Sequence, residues 1–253
     1  MRTPFSTGRL GDVTSARPTL RERRRQDLVA DIKAVASRQL AEEGLGALSL
    51  RAVARDLGMA VSALYRYFPS RDELVTALLE DAYTALAEAV EAAAGAEPDD
   101  PVAALAAGLR AFRTWGLAHP AEYGLLFGAP LPGYAAPPER LVAVGTRTAM
   151  TLYGLVHAAE QQGRLDPVVA RRRAEALPPE TAEQLDAWRR RRVPGMSLGA
   201  VAVTVDAWVR TQGFLTLEVF GQLRPVLPDA SAAYEETLAA ALAPFGVVSG
   251  MGG

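Results

Sequence analysis

Apolar residues recur along most of this chain at intervals of three and four, the spacing that gathers them on one face of an α-helix. Thr19 followed by Glu22 has the spacing of a capping box, in which each side chain satisfies an orphan N–H of the other, so a helix is predicted to begin there. Leu28, Ile32, Val35, Ala36 and Leu40 keep its face apolar as far as Glu43, and Gly44 stops it. Ser49 is placed to cap a short second helix, with Leu50, Val53, Ala54 and Leu57 at i, i+3, i+4 and i+7. Gly58, which accepts positive φ, ends that helix. Val61, Leu64, Tyr65 and Phe68 repeat the spacing in a third helix closed by Pro69. Ser70 and Glu73 form a second capping box, opening a long helix through Leu74, Leu78 and Leu86 to about Ala94.

The acidic stretch Gly95 to Pro101 carries two prolines and reads as a linker near a domain boundary. Helices are predicted over about 102–118, 121–127 and 139–162, with the proline-rich stretch Gly128 to Pro138 as a loop. Arg164 to Met196 is polar and rich in arginine, and is expected to hold at most short helices and to have room for mobility. Ser197 to Gly221 is apolar almost all round, with Val201, Val203, Val205, Trp208, Val209, Phe214, Leu217 and Phe220. Such a helix needs cover on every side, from its own domain and from a partner chain. A last helix is predicted over 230–243, ending at Pro244. Residues 1–18 have no periodicity and read as a flexible arm, and Gly250 to Gly253 as a frayed tail. The expected fold is all-α in two domains: a three-helix head at 19–69, a connecting helix at 70–94, and a larger helical domain at 95–253.

Composition removes several chemistries. The 253 residues include no cysteine, which excludes disulfides, Cys metal sites and thiol catalysis. The two histidines, His119 and His157, are too few for most His-based zinc centres, and no metal or other cofactor is expected. Lacking an apolar run of membrane-spanning length and an apolar signal core in its first 20 residues, the chain is expected to be cytoplasmic. A net charge of −2 gives no sign of a nucleic-acid binder, but its distribution does. Residues 1–72 hold 13 basic and 8 acidic side chains, and the remainder 14 and 21. A basic front on an acidic body suits a protein that presents one end to a polyanion.

The turn between the second and third helices is short enough to force a steep crossing, as in a helix-turn-helix, and the small Ala54 suits the point of contact. With the apolar face of the third helix turned inward, its outer face is Ala60, Ser62, Ala63, Arg66 and Tyr67. Small residues let the backbone approach a groove floor, while Arg and Tyr reach the flanking phosphates. The competing reading is a set of ordinary core helices with a polar exterior.

The stretch Ser49 to Leu78, SLRAVARDLGMAVSALYRYFPSRDELVTALL, resembles the DNA-binding signature of the TetR family of bacterial transcriptional regulators. Its most specific part is Leu64-Tyr65-Arg66-Tyr67-Phe68 followed by Ser70-Arg71, and the likeness covers about residues 20–90. The resemblance implies that Ser49 and Arg51 lie beside phosphate or a base edge, and that Ala60, Ser62 and Ala63 face bases. It gives Tyr65, Tyr67 and Arg71 phosphate contacts, with Tyr67 where the family often has His. Tyr65 also falls on the apolar stripe, so its ring could pack while its hydroxyl reaches outward. The resemblance further implies a homodimeric, ligand-responsive regulator, most often a repressor, released from a palindromic double-stranded operator by a small molecule.

The larger domain resembles a subgroup with a Trp-His-Gly signature. Trp208 to Gly213 corresponds to it, with Gln212 in place of His, and Trp115 to Phe127 fits as well. Trp115, His119, Tyr123, Phe127, Tyr153, His157 and Trp208 are candidate walls and polar handles of a small-molecule pocket. Each has a plain alternative, since aromatics at helical spacing are commonly core and His119 before Pro120 suits a helix end. The arginine runs 171–173 and 189–192 read as solvated faces. Arg2, Arg9 and Arg17, with Arg21 and Arg23 to Arg25, are either extra groove or phosphate contacts or a solvated tail. A helical enzyme and a protein-interaction module compete in principle, but no nucleophile–base pair, phosphate loop or metal cluster is present in the sequence.

Overall fold

A computed structural model describes residues 19–44, 46, 48–129 and 133–246, all of them helix or connection. The expected arm at 1–18 and the tail at Gly250 to Gly253 lie outside the described residues. Eleven α-helices are described: α1 (Leu20–Glu43), α2 (Leu50–Asp56), α3 (Val61–Leu64), α4 (Arg71–Gly95), α5 (Pro101–Ala118), α6 (Pro120–Phe127), α7 (Pro138–Gln161), α8 (Pro167–Glu175), α9 (Pro179–Arg192), α10 (Leu198–Val219) and α11 (Ser231–Leu242). A single 3₁₀ turn, Ala243–Phe245, follows α11.

The caps read from sequence are made. Thr19 Oγ1 accepts from Glu22 N at 3.3 Å while Glu22 Oε2 accepts from Thr19 N at 2.7 Å, completing the first box. At α4 only one half forms: Ser70 Oγ accepts from Glu73 N at 3.1 Å, and the Glu73 carboxylate instead takes Arg140 Nη1 at 2.8 Å. Tertiary charge pairing has drawn the second half of the box away from the helix end.

Two cores form, and α4 belongs to both. Leu74, Val75, Leu78 and Leu79 join Ile32, Val53, Ala54, Leu64 and Phe68 in the first. Ala82, Leu86 and Val90 join Phe112, Tyr123, Val156, Val201, Leu215 and Tyr234 in the second. The first core is not closed by α1–α4 alone. Leu141 of α7 is buried in it, with Leu125 and Leu126 of α6 and Tyr134 packed against it. The larger domain therefore touches the head directly.

One expectation changes. Arg164 to Met196 carries α8 and α9, of 9 and 14 residues, each opened by a proline in its first turn, where a missing N–H costs nothing. Asp166 Oδ1 caps α8 through Val168 N at 2.7 Å, and Gly199 lets α10 lie so close that a Cβ there would sit 2.2 Å from Ala170 O. Helix α10, in turn, is not covered all round by its own chain. Ala200, Val201, Val203, Ala207 and Leu215 are buried, but Val209 is 60% exposed, Leu217 41% and Phe220 45%.

Candidate nucleic-acid interface and regulatory core

The head positions its outer surface from a few local decisions. Ser49 Oγ caps α2 through Ala52 N at 3.2 Å, fixing Arg51 in the first turn with its side chain exposed. Gly58 at φ 64° turns the chain, and Ala60 begins α3 without a side-chain cap. Ala60 and Ser62 are exposed and Ala63 half-buried, so the face expected to meet bases is open and small.

Helix α3 is shorter than its periodicity suggests. Regular α structure ends at Leu64; Arg66 N then donates to Ala63 O at 3.3 Å and Tyr67 N to Leu64 O at 2.9 Å. These three-residue bonds tighten the chain before Pro69, which cannot donate. At three residues per turn Tyr67 falls in line with Leu64, so its ring packs against the first core while Tyr65 is swung outward, 46% exposed. A 3.6-residue stripe puts Tyr65 inward and Tyr67 outward, and the tightened turn exchanges them.

Arg71, in the first turn of α4, donates from Nε to Leu48 O at 2.9 Å. It thereby ties the start of α4 to the segment leading into α2, and its side chain is half-buried at the head's surface. Asp56 at the end of α2 is held to α1 by Gln39 Nε2 at 2.8 Å, a hydrogen bond that keeps its carboxyl below its ordinary range.

The predicted ligand residues fall into small assemblies rather than one lining. Tyr123, Phe127 and Trp208 meet around Phe112, with Phe112–Trp208 centroids 5.0 Å apart and Tyr123–Phe127 4.9 Å. Tyr123 is fully buried; its hydroxyl lies 2.9 Å from Thr216 Oγ1, and burial raises its pKa. Trp115 and His119 stack at 5.0 Å, and His119 Nδ1 lies 2.9 Å from Trp115 O, which is the helix-end role open to it from sequence. Tyr153 instead meets Trp188 of α9 in a tilted pair with centroids 4.7 Å apart. His157 stands 3.9 Å from Glu160, under Gly195. Phe127 also lines a groove of about 440 Å³ where α1, α6 and the end of α10 meet, beside Leu40, Leu125 and Phe220.

Sequence reasoning missed the clamps between α4 and α7. Arg140 holds Glu80 through two bonds of 2.8 and 2.7 Å, and Arg147 holds Glu91 through 2.8 and 2.6 Å. Tyr134 OH lies 2.9 Å from Thr76 Oγ1. The partners are 56 to 67 residues apart in sequence, beyond any periodic signal. Among the described residues no group of three or more His, Asp or Glu is arranged to hold a metal, and no helix is long and apolar enough to cross a membrane.

These features define a helix-turn-helix head carried on a larger helical body. Residues 32–78 match the profile described as bacterial regulatory proteins, tetR family, and residues 105–241 that of a tetracyclin repressor-like C-terminal domain. The HTH-type transcriptional regulator Rv1816 of Mycobacterium tuberculosis is 38% identical over 204 residues, covering 78% of this chain and 83% of the relative. Its counterpart in Mycobacterium bovis, Mb1846, matches equally. The crystal structure of the regulatory protein SCO4313 superposes with a TM-score of 0.73 at 34% identity, over 89% of this chain and all of the other. A TetR family regulator from Marinobacter aquaeolei VT8 shares the fold at a TM-score of 0.60 and 16% identity, over 88% of this chain and 97% of the other. The chain belongs to the TetR family of bacterial transcriptional regulators and is a DNA-binding regulator.

Proposed function

We propose that the protein is a repressor that binds a palindromic operator as a homodimer in the cytoplasm, is released by a small-molecule effector, and carries out no catalysis of its own. The observation that carries the DNA reading is the open, small-residue face of Ala60, Ser62 and Ala63 beside exposed Arg51, Tyr65 and Arg66. Ala60, Ser62 and Ala63 approach the bases; Ser49, Arg51, Tyr65, Tyr67 and Arg71 hold phosphate or, at the start of α2, a base edge. A single head reads only a few base pairs, so selectivity requires two heads on a two-fold site.

The uncovered stripe on α10 supports dimerisation. Val209, Gly213 and Leu217 recur at intervals of four on one exposed line, and α11 exposes Ala232 and Ala240. In this reading α10 and α11 of two chains pack as a four-helix bundle. The effector is received in the regulatory domain at 95–253, among Trp115, His119, Tyr123, Phe127, Tyr153, His157 and Trp208. The half-buried rings of Phe127 and Trp208 support this, as does the place of Phe127 beside α1 of the head. The connecting helix at 70–94 passes the change to the head. Linkage requires that operator and effector weaken each other's binding by the same factor.

The test is selection from a random double-stranded DNA pool by purified protein at moderate salt. Enrichment of one palindrome is the expected result; weak, salt-sensitive binding with no enriched sequence would overturn the base-reading assignment.

A further inference from the structure

The first two turns of α1 have no core to serve. Residues 20–27, LRERRRQD, are exposed at every position, Leu20 by 63%, and the first buried residue of α1 is Ile32. At 1.5 Å per residue they project about 12 Å beyond the packed part of the helix. A segment exposed all round gains little from tertiary burial, and so short a helix is marginal on its own. The Thr19–Glu22 capping box closes its first turn and also engages the Glu22 carboxylate at Thr19 N and Oγ1.

This projection forms one wall of a groove of about 930 Å³ whose other wall is the end of the recognition element. Arg21, Arg24 and Arg25 face it from α1, at the i, i+3, i+4 positions that share a helix face, and Arg66 and Tyr67 face it from beyond α3. None of these four arginines forms an ion pair with a described residue. Four guanidinium groups line the groove against one carboxylate, Glu22, which is engaged at Thr19, so the groove keeps an excess of positive charge that favours an anion. Arg21 and Arg25 are about 6 Å apart along the helix axis, against about 3.4 Å of rise per phosphate along one DNA strand.

We propose that this groove is a backbone shelf: Arg21, Arg24, Arg25 and Arg66 hold about two consecutive DNA phosphates outside the set of residues that read bases. The shelf rests on the reading that α2 and α3 face DNA, and adds sequence-independent affinity to it. It gives the capped projection of α1 a purpose that packing does not.

The experiment uses the full chain carrying Arg21→Ala, Arg24→Ala and Arg25→Ala together, with the matching triple Lys variant as a second arm. Binding to the selected operator is measured across salt concentrations. Every phosphate left without its cation takes about 0.9 off the slope of log K against log salt, so the Ala variant, which keeps Arg66, should flatten it by about 1 to 2 for each protomer engaged. Between about 50 and 200 mM salt, the wild-type advantage should shrink by about three- to tenfold per protomer. The triple Lys variant should keep most of the slope, because a phosphate accepts a point charge, and both variants should select the wild-type sequence. An unchanged slope in a folded Ala variant, or a slope that falls equally in the Lys variant, overturns the shelf. Should the wild-type protein select no sequence, the base-reading assignment fails instead, and the slope on an arbitrary duplex still decides the shelf.

Discussion

Arg140 of α7 grips Glu80 of α4 with Nε–Oε1 at 2.8 Å and Nη2–Oε2 at 2.7 Å, while its remaining nitrogen reaches Glu73 in the first turn of α4. The paired geometry matches a planar guanidinium to a planar carboxylate, which gives direction as well as attraction. Glu73 lies two residues after Arg71, so a side chain of α7 holds the helix end next to the proposed DNA surface.

Arg140→Ala should therefore lower stability by about 1 kcal/mol, the upper part of the range for partly exposed pairs. It should also change operator affinity without changing the salt slope, because Arg140 contacts α4 rather than phosphate. Operator titrations at several salt concentrations separate the two effects. An altered slope would mean that Arg140 itself meets the DNA.

The Arg140–Glu80 and Arg147–Glu91 clamps, with Arg110 of α5 paired to Glu235 of α11 at 2.7 Å, contribute to the acid sensitivity of the fold. Hydrogen bonds from Arg140, Arg147 and Arg110 lower the carboxyl pKa of Glu80, Glu91 and Glu235 below the ordinary 4.5. A depressed folded-state pKa contributes stability that is present above the unfolded value and is lost as pH falls through the folded one. Melting temperature should thus be insensitive to these groups at neutral pH and should fall below about pH 4.5, less steeply in Glu80→Gln. A loss confined to the range above pH 6 would point to other groups.

Arg71 has a structural bond and a proposed phosphate contact, and two variants divide them. Arg71→Ala removes both the Nε–Leu48 O bond of 2.9 Å and the charge, so operator binding should weaken, its salt slope should flatten by about 1, and the melting temperature should fall. Arg71→Lys keeps the charge but not the planar Nε donor; it should retain most of the slope while losing part of the thermal stability. A wild-type slope in Arg71→Ala would remove the phosphate role and leave the structural one.

Much of the head is legible in the sequence because its signals are local. Thr19, Ser49 and Ser70 cap helices at the positions their spacing implies, and Gly58 takes the positive φ the turn requires. The exchange of Tyr65 and Tyr67 escapes because a 3.6-residue stripe assumes α geometry, whereas the chain tightens one turn before Pro69. Helices α8 and α9 are understated because only Ala170 is buried on α8 and no residue on α9. Apolar periodicity is faint where little is buried, and the proline and Asp166 caps are the readable signal. In the larger domain Tyr153 pairs with Trp188 and Tyr123 with Thr216, choices made by tertiary packing that spacing does not encode.

The exposed line on α10 gives the last prediction. Val209 is 60% exposed, so Val209→Asp places a carboxylate in water in an isolated chain and should leave its fold intact. In the proposed bundle the two-fold axis brings two copies of that face together, and an unpaired buried carboxylate costs several kcal/mol. Sedimentation should show the wild-type chain as a dimer and the variant as a monomer with unchanged helical content. The variant should also lose selective binding to the palindrome while keeping weak, salt-sensitive affinity for a single half-site, because its head is untouched. A variant that remains dimeric and binds the palindrome normally would move the interface off this stripe and leave Val209, Leu217 and Phe220 needing a different cover.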